Sequence, residues 1–220
     1  MQKNEKSNAM LVLLTGGIAS GKTLVSDYLG AKGAIVIDTD IISRMLTRID
    51  NPLGITVLSE IKMHFGAEFF TDTGEMDRVK MRAEVFNNPD SKMKLESILH
   101  RRIYQEVRRE IDLLAPGQYA LIVVPVITED SLYVKLVDEV LVVEVYEAEQ
   151  LQRVMVRDTI DQELAAKIIH SQIARLDRRK LGDYIIISQN RQFVERQLDK
   201  LHDYYLKKAI EKSNLNISGE

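Results

Sequence analysis

The 220-residue chain contains no cysteine and no tryptophan, and only four prolines. Without cysteine there can be no disulfide and no thiolate metal site, and the composition fits a reducing compartment. An excess of either charge is also missing. Lys and Arg number 30 against 33 Asp and Glu, a formal net charge of -3, so no global basic field points to nucleic acid. Long apolar runs are absent. The stretch ALIVVPVI is far shorter than the ~20 residues that span a bilayer, and Pro125 interrupts it. Nor does the opening MQKNEKSNAM hold the apolar core of a signal peptide. These absences predict a cytoplasmic protein without membrane or nucleic-acid partners, whose first nine residues form a flexible tail. What remains is ordinary for a globular domain: 45% hydrophobic and 29% charged residues.

Five short runs rich in Val, Ile and Leu predict strands at Met10–Thr15, Ala34–Asp38, Tyr119–Val126, Glu139–Tyr146 and Tyr184–Ser188. Most read as strands buried on both faces of a parallel sheet. Helical periodicity lies between them. One helix begins in the glycine-rich stretch after the first run and ends near Gly33. Another begins at Asn88-Pro89, a cap followed by proline at the first helical position, and runs to about Leu114. A third carries Val194, Leu198, Leu201 and Tyr205 near the end. Strand–helix alternation predicts an α/β fold with a five-stranded parallel sheet. The second and third strands are about eighty residues apart, too many for a simple crossover. Residues 41–115 therefore read as a helical insertion, and 147–180 as a second, within one domain spanning 10–215.

Residues Gly16 to Thr23, GGIASGKT, fit G-x-x-x-x-G-K-[ST], with a buried strand before and an amphipathic helix after. Such a loop cradles phosphate. Glycines admit phosphate oxygens close to backbone amides, and the helix N-terminus adds partial positive charge. Lys22 can reach the β- and γ-phosphates, and the Thr23 hydroxyl can ligate Mg²⁺. The nucleotide site is therefore assigned to Gly17, Ile18, Ala19, Ser20, Gly21, Lys22, Thr23 and Leu24, with ATP and Mg²⁺ expected. The second strand ends in VIDTD, at the sheet edge where ligands of α/β proteins bind. Continued strand geometry would point Asp38 and Asp40 to one side. A carboxylate there can take the proton of an attacking hydroxyl or help to hold the metal. Asp40 also precedes IISRML, where it can cap a helix.

Several segments in order resemble the dephospho-coenzyme A kinase family: LLTGGIASGKT, VIDTDIISRML, Phe65-Gly66, GEMDR, VFNNP, LESILH, QLQRVMVRD and SQ…LGDYII. The resemblance runs from about Met10 to about Lys208. It implies a three-layer P-loop kinase fold in which the first insertion binds substrate and the second is a helical lid. It implies ATP-dependent phosphorylation of the ribose 3′-hydroxyl of dephospho-CoA, with Asp40 as base. Arg153 and Arg157, four apart on one helical face, become lid arginines beside the transferring phosphate. His100 and Arg44 join Thr15, Asp38 and Asp40 as substrate-binding candidates. Glu129 becomes a candidate for water-mediated metal support, and Asp183 a candidate near the adenine. The cluster Arg101, Arg102, Arg108 and Arg109, interleaved with Glu106 and Glu110, reads as a solvated face.

Some positions depart from the family pattern. Ala19 replaces a glycine, so the loop must keep φ negative there or accept strain. Leu24 stands for a hydroxyl, Arg101 for a proline, Ile168 for a lid arginine and Ser188 for an asparagine. Val126-Ile127-Thr128 stands for Leu-Leu-Phe. Two other readings fit the same loop: a P-loop kinase acting on a different nucleotide or small alcohol, and a nucleotide-binding regulator with weak or no turnover.

Overall fold

A computed structural model describes residues 8–125, 127 and 131–217. The chain divides into two compact units, one formed by 1–38 with 111–220 and the other by 39–110.

The first unit holds five parallel strands: β1 (Met10–Gly16), β2 (Ile35–Asp38), β3 (Tyr119–Val123), β4 (Glu139–Glu144) and β5 (Tyr184–Ile187). Their order is β2-β3-β1-β4-β5. The sequence of β1 is apolar throughout because both its edges are paired, to β3 and to β4, and all seven residues are buried. Helix α1 (Lys22–Ala31) follows β1. Together with the C-terminal helix (Arg191–Ile217) it covers one face of the sheet. Met10, Val12 and Leu14 project into this core with Val25 and Leu29 of α1 and Val194, Leu198 and Tyr205 of the C-terminal helix. The two-residue period of β1 and the helical period of its partners are thus satisfied in one apolar layer.

The second unit is helical. It contains α2 (Thr39–Met45), α3 (Pro52–Phe65), a 3-10 turn at Ala67–Phe69, α4 (Arg78–Asn87) and most of α5 (Pro89–Asp112). Local chemistry starts these helices. The Asn51 side chain accepts from the amides of Leu53 and Gly54, and Asp77 from those of Val79 and Lys80. Asn88 does the same for Asp90 and Ser91 at the head of α5, where a cap followed by proline was expected. After β4 the first unit adds α6 (Glu147–Asp158), α7 (Gln162–His170) and α8 (Arg175–Lys180), and the C-terminal helix becomes α9.

Four expectations are corrected here. β2 is an edge strand, and Ile35 and Val36 are exposed rather than buried on both faces. The strand ends at Asp38, and Thr39 and Asp40 open α2, so strand alternation does not orient the two carboxylates. Nor is Asp40 the cap, since it lies inside the first helical turn. The start of the chain is less tail-like than expected. Residues 1–7 lie outside the described region, but Ala9 is fully buried and its carbonyl accepts from Lys212.

Candidate active site

The glycine-rich loop leaves the carboxyl end of the central strand, where the sheet switches from the β1–β3 side to the β1–β4 side. In open α/β sheets this switch point is where ligands bind. Gly16 is obligatory there because a Cβ would collide with the backbone carbonyl of Val143. Ser20 folds beneath the loop, fully buried, its hydroxyl 2.6 Å from the same Cβ position. Gly21 takes φ 101° and hands the chain into α1, whose N-terminus no side chain caps among the described residues. Its first amides are therefore available to an anion. The Lys22 ammonium bends back over the loop, donating to the carbonyls of Gly16 at 2.8 Å and Gly17 at 3.1 Å. Thr23 is exposed in the first turn of α1, and Leu24 packs against the apolar core. Ala19 has φ 56°, so of the two options open to it the loop accepts the strained one.

Side chains from α6, α8 and the α7–α8 turn close around this loop. Arg153 donates to the carbonyls of Ala19 at 3.3 Å and Ser188 at 2.9 Å, and pairs with Glu149 at 2.6 Å. Arg157 turns elsewhere. It is half-exposed and pairs with its neighbour Asp158 at 2.8 Å, which holds that carboxyl below the usual range. The two arginines share a helix but only Arg153 reaches the loop. Arg178, buried, donates to buried Glu144 at 2.7 Å, and Arg175 pairs with the other oxygen of Glu144 at 3.1 Å. The Arg178 guanidinium also lies against Gly17, 3.1 Å from where a Cβ would stand. Gln150 and Gln172 hydrogen-bond Ile18. These five residues were missed in the sequence. Gln150, Gln172 and Arg178 fall within or beside the stretches that carried the family resemblance, but no periodicity separates them from surface polar residues.

Thr15 is fully buried at the end of β1, and its hydroxyl has no hydrogen-bond partner among the described residues. Asp38 closes β2 in register with Val123, which pairs with Leu14. It therefore stands at the same end of the sheet as the loop, two strands or about 10 Å across. Asp183 does not. It precedes β5 at the amino end of the sheet, where its amide and carboxylate bond both backbone groups of Val140. The expectation that it borders the adenine is corrected, because in a parallel sheet the start of a strand lies opposite the ligand end. Glu129, Val126 and Thr128 lie outside the described residues.

In the helical unit, Asp40 and Arg44 are exposed one turn apart on α2. His100 is exposed on α5. Beside it, Arg101 and Arg102 both pair with Glu60, and the Arg102 bond leads in keeping that carboxyl below its ordinary range. Arg109 pairs with Glu106 in the same way at 2.5 Å.

A family model for dephospho-CoA kinase matches residues 10–194. The chain belongs to the dephospho-CoA kinase family. The dephospho-CoA kinase of Mannheimia succiniciproducens is 37% identical over 211 residues, covering 94% of this chain and 96% of that one. The dephospho-CoA kinase of Nitrosospira multiformis is 39% identical over 199 residues, covering 90% and 97%. Among solved structures, the dephospho-CoA kinase of Campylobacter jejuni superposes with a TM-score of 0.65 at 26% identity, covering 90% and 98%. A Thermus thermophilus structure reaches 0.73 at 22% identity, covering 91% and 97%, and establishes likeness of fold. Members of a kinase family use a nucleoside triphosphate as phosphoryl donor, and the glycine-rich loop of this chain is built for its phosphates.

Proposed function

We propose that the protein transfers the γ-phosphoryl group of ATP to the ribose 3′-hydroxyl of dephospho-CoA, yielding coenzyme A and ADP. Family membership supports the substrate. The observation that carries the chemistry is the loop itself: a lysine folded over it on two of its own carbonyls, an uncapped helix N-terminus behind it, and a buried arginine network beneath. The roles follow from charge. Of the loop from Gly17 to Leu24, the backbone amides from Ala19 onward bind the phosphates, the Ile18 amide being held by Gln172, and Lys22 neutralises charge on the group in flight. Arg153, already bonded to the loop at the Ala19 carbonyl, is assigned to the same oxygens. Arg157, bonded to Asp158, is assigned a secondary part there. The Asp40 carboxylate accepts the hydroxyl proton as the new P–O bond forms and the bond to ADP breaks. Asp38, Thr15, Arg44 and His100 are assigned to the substrate, the 39–110 unit to substrate binding, and 147–180 to a lid that excludes water. Asp183 has no part.

The divalent ion expected of such a kinase takes hard oxygen ligands. The exposed Thr23 hydroxyl, one residue beyond Lys22, suits that need. Among the described residues no cluster of three His, Asp or Glu could cage a metal. Thr23, phosphate oxygens and water would hold the ion, with Glu129, outside the described residues, as the further candidate acting through water. When bound, it neutralises phosphate charge. Among the described residues no helix is long and apolar enough to cross a membrane, and we assign the protein to the cytoplasm.

The test is direct. Purified protein with ATP, Mg²⁺ and dephospho-CoA should yield coenzyme A, identified by its mass. ATP binding without that product would sink the substrate assignment. Asp40→Asn should lower kcat by about 10²–10⁴ while leaving ATP affinity unchanged. An unaltered kcat would remove Asp40 as the base.

A further inference from the structure

The backbone of Ile18 is gripped on both sides. Its N–H donates to Gln172 Oε1 at 2.8 Å, and its carbonyl accepts from Gln150 Nε2 at 2.9 Å. Gln172 lies between α7 and α8 and Gln150 on α6, more than a hundred residues from the loop. Gln150 is 95% buried, and Gly17 admits it: a Cβ there would stand 2.7 Å from its Nε2. The next residue, Ala19, holds φ 56°, and its carbonyl accepts from Arg153. A residue with a Cβ stays in the left-handed region only when its surroundings over-determine it.

We infer that Gln150 and Gln172 are positioning residues that fix the two peptide groups flanking Ile18, the second of which leads into Ala19, and so hold the loop in the left-handed turn required for phosphate binding. A primary amide carries both a donor and an acceptor, and here one glutamine presents an acceptor to the peptide before Ile18 and the other a donor to the peptide after it. Freed from this grip, Ala19 would relax to negative φ and rotate the amides that follow. The inference rests on the reading of the loop as the ATP site. It adds that the shape of the loop depends on α6 and the α7–α8 turn, through side chains that serve the backbone rather than the nucleotide.

The experiment is ATP binding by calorimetry with Mg²⁺ and full-length protein. Gln172→Met and Gln150→Met should each weaken ATP binding, by about tenfold for one lost buried hydrogen bond. Adding Ala19→Gly to either variant should recover most of the loss, because glycine adopts the left-handed turn unaided. A merely structural role for the glutamines would not produce that recovery. Wild-type affinity in both variants, or weakened affinity that Ala19→Gly does not restore, overturns the inference. Lys22→Ala separates it from the underlying reading. Wild-type ATP affinity in Lys22→Ala overturns both, whereas weakened affinity there beside unaffected glutamine variants overturns the inference alone. If Gln172→Met does not fold, Gln150→Met, on the other side of Ile18, decides by the same criteria.

Discussion

Arg153 and Arg157 show how much a single residue's neighbours decide. They sit on successive turns of α6, and both are basic. Arg153 bridges the carbonyls of Ala19 and Ser188, so it already stands at the phosphate loop. Arg157 is bound to the adjacent Asp158 and faces solvent. Arg153→Ala should therefore lower kcat/KM by at least tenfold more than Arg157→Ala, as steady-state kinetics with varied ATP would read. Equal losses would mean that α6 turns during the reaction and brings both to the phosphate. Ser188, where the family pattern has asparagine, contributes its backbone carbonyl to Arg153, a contact indifferent to the side chain. That departure therefore leaves the arginine in place.

At the scale of elements, one contact ties a helix to the sheet and another ties two helices together. Glu144, at the end of β4, is buried between Arg178 and Arg175 of α8. Removing one partner of a buried pair strands the other's charge in a low-dielectric site. Arg178→Met should destabilise the fold by about 3 kcal/mol, less whatever Arg175 recovers, as denaturant unfolding would measure. A change below ~0.5 kcal/mol would show that Arg175 suffices. The second contact joins α1 to α9. Asp199 accepts from Tyr28 at 2.8 Å and pairs with Lys32 at 2.8 Å, and these bonds, Lys32 first, depress its carboxyl below the ordinary value. A depressed folded-state pKa adds stability that is complete above the unfolded value of about 4 and lost as pH falls through the folded value. The melting temperature of Asp199→Asn should thus lie slightly below wild type at pH 7, and the gap should narrow progressively as pH falls below about 4. A gap that does not change with pH would place the effect in packing. The bonds bear on function too, because α1 carries Lys22 and Thr23.

For the whole molecule, ligand linkage gives the broadest check. A nucleotide that binds only the folded chain stabilises it by RT ln(1 + [L]/Kd), about 2.7 kcal/mol at a hundredfold excess over Kd. ATP with Mg²⁺ should raise the melting temperature in proportion to the logarithm of its concentration, and Lys22→Ala should shift that curve to higher ATP. A melting temperature insensitive to ATP would contradict a folded phosphate site. The molecule's plan was legible at this scale. The apolar runs located all five strands, ragged only at their ends, because the buried inner strands β1, β3 and β4 must be continuously apolar and the two outer strands keep β-branched residues though more exposed. The spacing between the second and third runs revealed the helical segment that forms a compact unit over 39–110.

GGIASGKT identified a phosphate loop because that chemistry is local: glycines, a lysine and a hydroxyl at fixed intervals dictate a backbone shape. The same locality explains the helix caps at Asn51, Asp77 and Asn88 and the single family to which the chain belongs. Other features are settled by residues distant in sequence. The two-residue period misdirected Asp38 and Asp40 because the chain leaves the sheet at Asp38 and Thr39 begins a helix. Asp183 lies at the wrong end of the sheet because parallel pairing, which a lone segment does not reveal, fixes which end of a strand faces the ligand. Ala19 was recognisable as an exception, but the sign of its φ was not. That sign depends on Gln150, Arg153 and Gln172, whose positions beside the loop exist only after β4 has paired with β1 and α6 to α8 have packed behind it.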